Sequence, residues 1–384
     1  GKTKRSGLLA TNSIRGGANR KVLDRIKKSG DIFWAQSNRD WILEGAAVNV
    51  SMVGFDDGSE ESFSLDDIHV TEINADLTSA VNLTQGLPLL ENASITFQGT
   101  IKGGAFELLP DVAEAMIAMP GNPNERPNSD VIHPWINGSD VTGRRRGLWI
   151  IDFGVHMSLD EASQYVAPFE YVKVKVYPVR SQVRRENHRK YWWIHAEARP
   201  GMRTALLGLA RYIVTPRISK HRVFVWVEPT VLPDSATVVI ARSDDYFFGV
   251  LHSKSHELWA LRMGTSLEDR PRYTPITTFE TYPFPWPPGS EPAGDPRVDA
   301  IAQAARELVE QRDAWLNPPD VSEAELKKRT LTNLYNERPG WLDLAHRKLD
   351  KAVLDAYGWP HDLSDEEILE RLLALNLERA ATQE

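Results

Sequence analysis

The chain has 384 residues, of which 41% are hydrophobic and 12 are Trp. This composition excludes a disordered protein and allows two or three domains with sizeable cores. No apolar run reaches the roughly 18 residues needed to cross a bilayer, so no membrane partner is expected. The absence of Cys excludes disulfides and thiolate metal sites and fits a cytoplasmic protein.

The charge of the chain is distributed unevenly. The net charge of −8 would disfavour a nucleic-acid partner if it were uniform. Residues 171–222, however, contain thirteen Lys and Arg and only two acids, whereas the chain from residue 289 onward contains twelve Lys and Arg and twenty acids. A basic middle and an acidic tail therefore coexist in one chain.

The first 80 residues predict strands and one helix. Residues 7–11 predict a short buried strand. A loop follows, and then a helix that ends at Gly30. Strands are predicted near 32–35 and 47–55, before the turn Asp57-Gly58. Strand, helix, strand, strand is typical of the closing half of a doubly wound, Rossmann-like α/β sheet. We therefore expect a piece of a longer protein, with an open sheet edge at residues 7–11.

The rest of the chain divides into two further predicted domains. Residues 81–288 show short β-type runs, including "YFFGVL", and one short helix near 203–209, which predict a mixed α+β domain. The Pro-rich stretch "YPFPWPPGSEPAGDP" is typical of a linker. Residues 289–384 predict a helical domain, in which "SEAE" and "SDEE" resemble capping boxes. The first domain is then residues 1–80.

The tetrapeptide Asn317-Pro-Pro-Asp320 resembles a catalytic loop of amino-methyltransferases at first sight. Such a loop ends in an aromatic residue that stacks on the target base, and a carboxylate cannot stack. Because Pro stops one predicted helix and Ser322 caps the next, the tetrapeptide is interpreted as a loop between helices.

Five stretches of the sequence together resemble the MmeI-like family. They are "GLLATNSIRGG", "WILEGAAVNVSMVGFDDG", "NSDVIHPWINGSDVT", "HSKSHELWALRMGTSLEDRPRYTPITTFETYPFPWPP" and "LKKRTLTNLYNERPGWL". The family contains type II restriction–modification proteins and stand-alone relatives that methylate adenine N6 with S-adenosylmethionine. The resemblance implies that the chain is the C-terminal part of such an enzyme: the end of the methyltransferase domain, a target-recognition domain and a helical tail.

The same resemblance implies that the chain contains no catalytic residue. The Gly-rich loop that binds S-adenosylmethionine and the Asn/Asp-Pro-Pro-aromatic loop would both precede Gly1, and no Phe-x-Gly-x-Gly-like loop occurs in the chain. We therefore expect the missing N-terminal methyltransferase half to be a partner, and this chain to be inactive alone.

Three residues are candidates for the pocket of the extruded base. Thr11 and Asn12 end the first strand, where ligands bind in open α/β sheets, although they could form only a polar turn. Trp41 precedes the long strand at about the place where related methyltransferases put an aromatic against the base. The alternatives are that Leu43 occupies that position or that Trp41 is a core residue under the hairpin.

A second set of candidates would neutralise DNA phosphates. The stretch "RSQVRRENHRKYWW" places cations beside aromatic residues, and the positive surplus continues beyond it. The alternative is a solvated basic face without a partner. The candidates are Arg184, Arg185, Arg189, Lys190, Arg217, Lys220 and Arg222.

Glu268 and Arg270 are candidates for reading a base pair. Residues two apart on an extended segment face the same side. Glu accepts from cytosine N4, and Arg donates twice to guanine O6 and N7, so the two could read one C·G pair. The family resemblance implies the same role, because a charged pair at this place specifies a base pair. The alternative is a surface ion pair.

Two other kinds of site are not expected. His252, His256 and Glu257 lack the spacing of a metal site, and Glu170 with Lys173 lacks the earlier Asp that a nuclease centre needs. Double-stranded DNA is the predicted partner. A non-catalytic specificity module that acts with a separate methyltransferase subunit is the alternative function, and a small-molecule α/β enzyme is a third.

Overall fold

A computed structural model describes residues 4–43, 46–79, 81, 83–267 and 270–383, with the backbone alone at 17–18, 42–43, 46–47, 84 and 265–267. The strands are β1 Arg5–Thr11, β2 Asp31–Leu43, β3 Ala46–Asp56, β4 Phe63–Leu65, β5 Ile68–Val70, β6 Thr96–Gln98, β7 Glu107–Leu108, β8 Ile132–Ile136, β9 Trp149–Ile151, β10 Tyr212–Pro216, β11 Val225–Val227, β12 Leu232–Pro233, β13 Thr237–Ile240, β14 Thr265–Leu267 and β15 Arg270–Arg272.

The α-helices are α1 Lys21–Ser29, α2 Pro110–Ile117, α3 Gly138–Thr142, α4 Leu159–Ser163, α5 Val166–Lys175, α6 Tyr177–Arg180, α7 Glu186–Lys190, α8 Pro200–Leu206, α9 Asp245–His252, α10 Lys254–Met263, α11 Pro296–Leu316, α12 Glu323–Lys328, α13 Leu331–Glu337, α14 Gly340–Tyr357 and α15 Asp365–Ala381. Within the described ranges, no helix combines the length and the apolar character that crossing a membrane requires.

The chain folds into two compact units, each built from separate stretches of sequence. The first contains Gly1–Glu91, Ser255–Ser290 and Gly358–Glu384, and the second contains Asn92–Lys254 and Glu291–Tyr357. The helices α11 to α14 thus belong to the second unit and α15 to the first. The predicted division into domains 1–80, 81–288 and 289–384 stays a prediction.

The first unit contains a five-stranded sheet in the order β1-β3-β2-β4-β5. β3 is antiparallel to both β1 and β2, so β1 and β2 run parallel, and α1 connects them. Leu23 of α1 is buried against Ile32, Ala35 and Val53. The predicted helix and strands are confirmed, including the helix end at Gly30.

The expected burial of the first strand is wrong. β1 is an edge strand of this sheet, and Leu9 is 54% exposed. Only Leu8 and Ala10 pack against the core, because alternate side chains of a strand face opposite sides. The open edge expected at residues 7–11 is present, since β1 pairs with β3 alone among the described strands.

The second unit contains two four-stranded sheets, in the orders β11-β10-β13-β6 and β12-β8-β9-β7. Phe153, Tyr165, Phe169 and Trp192 form one aromatic core beside the second of these sheets. The predicted α+β character of this region is confirmed. The single predicted helix near 203–209 corresponds to α8, but seven further helices, α2 to α7 and α9, also lie in residues 92–254.

The stretch "YFFGVL" is a helix, and its prediction as a strand is wrong. It forms α9, and Asp244 caps the helix by accepting from the backbone N–H of Phe247 at 2.8 Å. Every residue from Tyr246 to His252 is buried. A segment buried all round shows neither helical nor strand periodicity, so the pattern could not decide between the two.

The C-terminal helices confirm most of the predicted boundaries. Asn317-Pro-Pro-Asp320 is the loop between α11 and α12, as predicted. Ser364 forms a complete capping box with Glu367, whereas the hydroxyl of Ser322 accepts only from the backbone N–H of Glu325. The predicted continuous helix after Ser322 is broken into α12 and α13, since Thr330 caps a new helix.

The Pro-rich stretch before α11 is packed, which differs from a solvated linker. Tyr282 and Phe284 are fully buried, and their rings meet edge to face at 4.9 Å. The chain nevertheless passes from the first unit to the second within this stretch, between Ser290 and Glu291.

Candidate nucleic-acid interface

The basic stretch of the second unit presents four cations to solvent. Arg184, Arg185, Arg189 and Lys190 are all exposed, on α7 or immediately before it. Arg189 donates to the backbone carbonyl of Val183 at 2.8 Å, which orders its side chain without neutralising it. None of the four forms an ion pair with another described residue, so their charge is available to an anion.

The aromatic residues of the same stretch hold it to the core. Trp192 and Trp193 are buried, and the indole N–H of Trp193 donates to the backbone carbonyl of Met157 at 2.9 Å. Only Tyr191 is exposed, and the Lys190 ammonium lies 5.4 Å from its ring centroid. The two Trp side chains are therefore anchors of the stretch and not surfaces for a ligand.

The remaining predicted phosphate contacts differ in exposure. Lys220 is exposed, and its ammonium donates to the side-chain oxygen of Asn336 at 2.7 Å. Arg217 is half-buried. Arg222 is only 8% exposed, and its guanidinium donates to the hydroxyl of Thr215 at 2.9 Å and to the carbonyl of Pro216. We therefore remove Arg222 from the set, because a buried guanidinium cannot reach a phosphate outside the fold.

Three arginines in "GRRRG" escaped the prediction, although a run of three cations is itself a signal. Arg146 makes a two-bond pair with Asp140, both bonds at 2.9 Å. Burial opposes the charge of Asp140, but the bonds from Arg146 and from the backbone N–H of Asn137 hold its carboxyl pKa below the usual value. Arg144 donates to the carbonyl of Leu326 at 2.9 Å. Arg145 and Arg146 are both exposed, and of these two only Arg145 makes no ion pair in the described ranges.

The three candidates for a base pocket lie at one end of the sheet of the first unit. Thr11 at the end of β1 pairs with Val50, and Val50 pairs with Arg39 on β2. Trp41 lies two residues beyond Arg39, past the end of β1, and is 39% exposed. The alternative that Trp41 is a buried core residue is therefore wrong.

The polar groups at this end of the sheet bond to one another. The Thr11 hydroxyl lies 2.8 Å from the hydroxyl of Ser13, and the side-chain oxygen of Asn12 accepts from the hydroxyl of Ser51 at 3.3 Å. This bond joins Asn12 to β3 and does not involve the backbone of the turn, so it does not decide between a ligand pocket and a polar turn. Neither contact prevents a ligand from approaching, because Thr11 is exposed and Asn12 is half-buried.

Arg270 lies on a hairpin of the first unit. It begins β15 and pairs with Leu267 at the end of β14, and its side chain is exposed. Glu268, its predicted partner in base reading, lies outside the described residues. The hairpin belongs to Ser255–Ser290, so it shares a compact unit with β1 to β5 and not with α7.

The histidines considered for a metal have protein partners. His256 lies 3.0 Å from the hydroxyl of Tyr273, and His252 lies 2.9 Å from the guanidinium of Arg312. In the part of the chain that the structure describes, no three His, Asp or Glu residues are grouped so that they could hold a metal ion.

The chain resembles known proteins in sequence over part of its length and in fold over nearly all of it. Over 171 residues it is 30% identical to DNA methyltransferase A of Bacillus subtilis (strain 168). The aligned residues cover 42% of this chain and 17% of the relative. No protein-family model matches the chain.

A solved structure of the type IIL restriction–modification enzyme MmeI in complex with DNA matches 98% of the chain and 50% of that enzyme, with a TM-score of 0.75 and 19% identity. The type IIG restriction endonuclease BpuSI matches with a TM-score of 0.34, which is too low to support an argument. The resemblance to the MmeI-like family is confirmed, and at 19% identity the structural likeness establishes the fold. The chain spans half or less of the proteins it matches.

Proposed function

We propose that this chain is the C-terminal part of a site-specific DNA methyltransferase that acts on adenine N6 in a restriction–modification or phage-defence system. The observation that carries the proposal is the set of exposed cations on and before α7, which form no ion pairs in the described ranges. The fold of the chain, over 98% of its length, resembles that of an enzyme whose structure was solved in complex with DNA. Cations that lack ion-pair partners within the described ranges are those that phosphates neutralise most favourably.

The sheet of the first unit supports the methyltransferase part of the proposal. Its parallel strands β1 and β2, the connecting helix α1 and the reversed strand β3 between them agree with the closing part of a Rossmann-like sheet. Thr11 is the last residue of β1 and Asn12 follows it, at the carboxyl end of the strand, where such sheets bind ligands. Trp41 offers an exposed ring at the same end, on which an extruded adenine would stack.

The residues of this chain do not fit a complete cofactor site. S-adenosylmethionine supplies the methyl group in this class of reaction, but the sequence contains no Gly-rich loop of the Phe-x-Gly-x-Gly type. No catalytic or cofactor-binding role is therefore assigned to a residue of this chain. Its own contribution would be to bind the duplex, to select the site through Glu268 and Arg270, and to hold the extruded base.

Duplex binding as a function of salt tests the proposal. Replacement of Arg184, Arg185, Arg189 and Lys190 by Gln should reduce the slope of log K against log salt by about three to four, because each lost phosphate contact contributes roughly 0.9. The matched control replaces four exposed cations of α12 and α14 by Gln, namely Lys327, Lys328, Arg347 and Lys351.

The control removes the same formal charge and should leave the slope almost unchanged. An equal loss in both variants would contradict a specific interface, because it would mean that only the net charge matters.

A further inference from the structure

One arginine of the basic stretch is buried. Arg180 ends α6 and is only 2% exposed. A guanidinium has five N–H donors, and in this structure five backbone carbonyls accept from Arg180. They are those of His188 at 3.0 Å, Lys102 at 3.3 Å, Gly103 at 3.4 Å, Tyr191 at 3.5 Å and Ile194 at 3.2 Å. The donors and the acceptors are therefore matched in number.

No carboxylate pairs with Arg180 among the described residues. Burial lowers the pKa of its guanidinium, and no anion acts in the opposite direction. A buried cation is costly unless its hydrogen bonds are satisfied, so the carbonyl dipoles must hold it. The position of Arg180 is explained by the backbone segments that it joins.

Those segments include the helix that presents the exposed cations. α7 has five residues, no side-chain cap and no buried residue of its own. A helix this short is not stable in isolation. Arg180 binds the carbonyl of His188 inside α7 and the carbonyl of Tyr191 directly after it. Through Lys102 and Gly103 it ties both to the start of the second unit.

Gly103 lies directly beside the guanidinium of Arg180. Its φ is +67°, a conformation that favours glycine. A Cβ atom at this position would lie 2.5 Å from the Cβ of Ala196 and 2.8 Å from a terminal nitrogen of Arg180. The substitution Gly103→Ala would therefore disturb the same five-bond contact from the opposite side.

We propose that Arg180 is a positioning residue for DNA binding, which fixes α7 so that Arg184, Arg185, Arg189 and Lys190 meet successive phosphates. The inference rests on the proposed function. Arg180 itself does not touch the nucleic acid. It acts through the backbone of residues 188–194, and its loss spreads the four cations over many orientations.

The test compares two variants of this contact with a matched control. Arg180→Lys leaves at most three donors for five carbonyls, and Gly103→Ala disturbs the guanidinium by an independent route. The control is Arg312→Lys in the same unit, where a buried arginine donates to the carbonyl of Phe224 at 3.0 Å and, in the described ranges, forms no hydrogen bond with α7. All three variants are made in the full chain and studied at a temperature at which each is folded by circular dichroism.

Two measurements on these variants separate positioning from general stability. We expect Arg180→Lys and Gly103→Ala to weaken duplex binding at least tenfold and to reduce the salt slope by two or more. Amide hydrogen exchange should accelerate in residues 186–194 and remain unchanged in β10 and β13. Arg312→Lys should lower the melting temperature and preserve both the DNA affinity and the slope.

Two results would overturn the inference: wild-type affinity and slope in folded Arg180→Lys and Gly103→Ala, or the same loss of binding in Arg312→Lys. The Gln variants of the four exposed cations distinguish its failure from that of the proposed function. If those variants bind DNA normally, the interface itself is wrong. If they fail to bind and the Arg180 and Gly103 variants bind normally, only the role of Arg180 is wrong.

Discussion

Leu87 and Asn376 exchange two hydrogen bonds although 289 positions separate them in the sequence. The backbone N–H of Leu87 donates to the side-chain oxygen of Asn376 at 2.9 Å, and the Asn376 amide donates back to the carbonyl of Leu87 at 2.8 Å. The same amide group donates to the carbonyl of Thr281 at 2.7 Å. One fully buried side chain therefore joins all three sequence segments of the first unit.

Asn376→Ala should destabilise the first unit strongly. The substitution leaves the buried carbonyl of Thr281 without its partner, and a buried unsatisfied group costs about 1–3 kcal/mol. The N–H and the carbonyl of Leu87 lose their partner as well, but Leu87 is half exposed, so water replaces part of those two bonds. We expect a loss of about 2 kcal/mol or more in the free energy of unfolding, measured by urea titration. Glu370→Ala, an exposed substitution on the same helix, should change it by less than about 0.5 kcal/mol. Similar stabilities for the two variants would show that the contact does not hold the unit together.

Arg184 and Arg222 should show opposite effects when each is replaced by Gln. Arg184 is exposed and should lose about 0.9 of the salt slope of DNA binding, with little change in stability. Arg222 is buried on Thr215 and Pro216, so its replacement should lower the stability by about 1–3 kcal/mol and leave the slope unchanged. Paired urea and DNA-binding titrations check both halves. A reduced salt slope of DNA binding in folded Arg222→Gln would show that Arg222 does contact DNA phosphates.

His346 should make the stability of the second unit depend on pH. Burial, together with the cations Arg338 and Arg312, lowers its pKa to about 4, and the hydroxyl of Tyr335 lies 3.0 Å from its ring nitrogen. Above pH 6.5 the imidazole is neutral in both the folded and the unfolded state, so it adds no pH dependence. Between pH 6.5 and 4 only the unfolded state takes up the proton, so stability falls with falling pH, by about 3 kcal/mol in total.

The variant His346→Gln should remove that part of the pH dependence. Urea titrations of the wild type and the variant at pH 7 and pH 4 provide the measurement. The stability difference between the two pH values should be smaller in the variant by about 3 kcal/mol. An unchanged difference would mean that the pKa of His346 is the same in the folded and the unfolded protein.

Local signals predicted the elements that turns and alternation define. The helix ending at Gly30, the strands β2 and β3, and the loop after α11 all follow from residues within each segment. α9 did not follow, because its residues from Tyr246 to His252 are buried on every face and show no helical periodicity. The β-branched run "VKVKV" forms the end of helix α5, and its last residue, Val176, is the C-cap, since tertiary packing overrides a weak strand propensity.

The candidate site shows the same limit. A run of cations identifies a basic region, but the sequence cannot tell that Arg184 is exposed while Arg180 and Arg222 are buried. That difference depends on carbonyl groups contributed by distant segments, such as Lys102 and Gly103 for Arg180. The sequence also could not place Arg270 in the same unit as β1, because contacts over more than 200 positions decide it.

Selection of bound duplexes from a randomised library tests most directly whether this chain reads a DNA sequence. The full chain would be incubated with the library at two salt concentrations, and the retained DNA sequenced. Glu268→Ala with Arg270→Ala is the test variant. Glu323→Ala with Lys327→Ala removes an exposed ion pair on α12 and is the matched control.

We expect a defined motif at both salt concentrations, with a C·G position that loses its preference only in the Glu268 and Arg270 variant. Retention without a motif, lost at the higher salt concentration, would contradict site recognition, because only the sequence-independent phosphate contacts would then be acting.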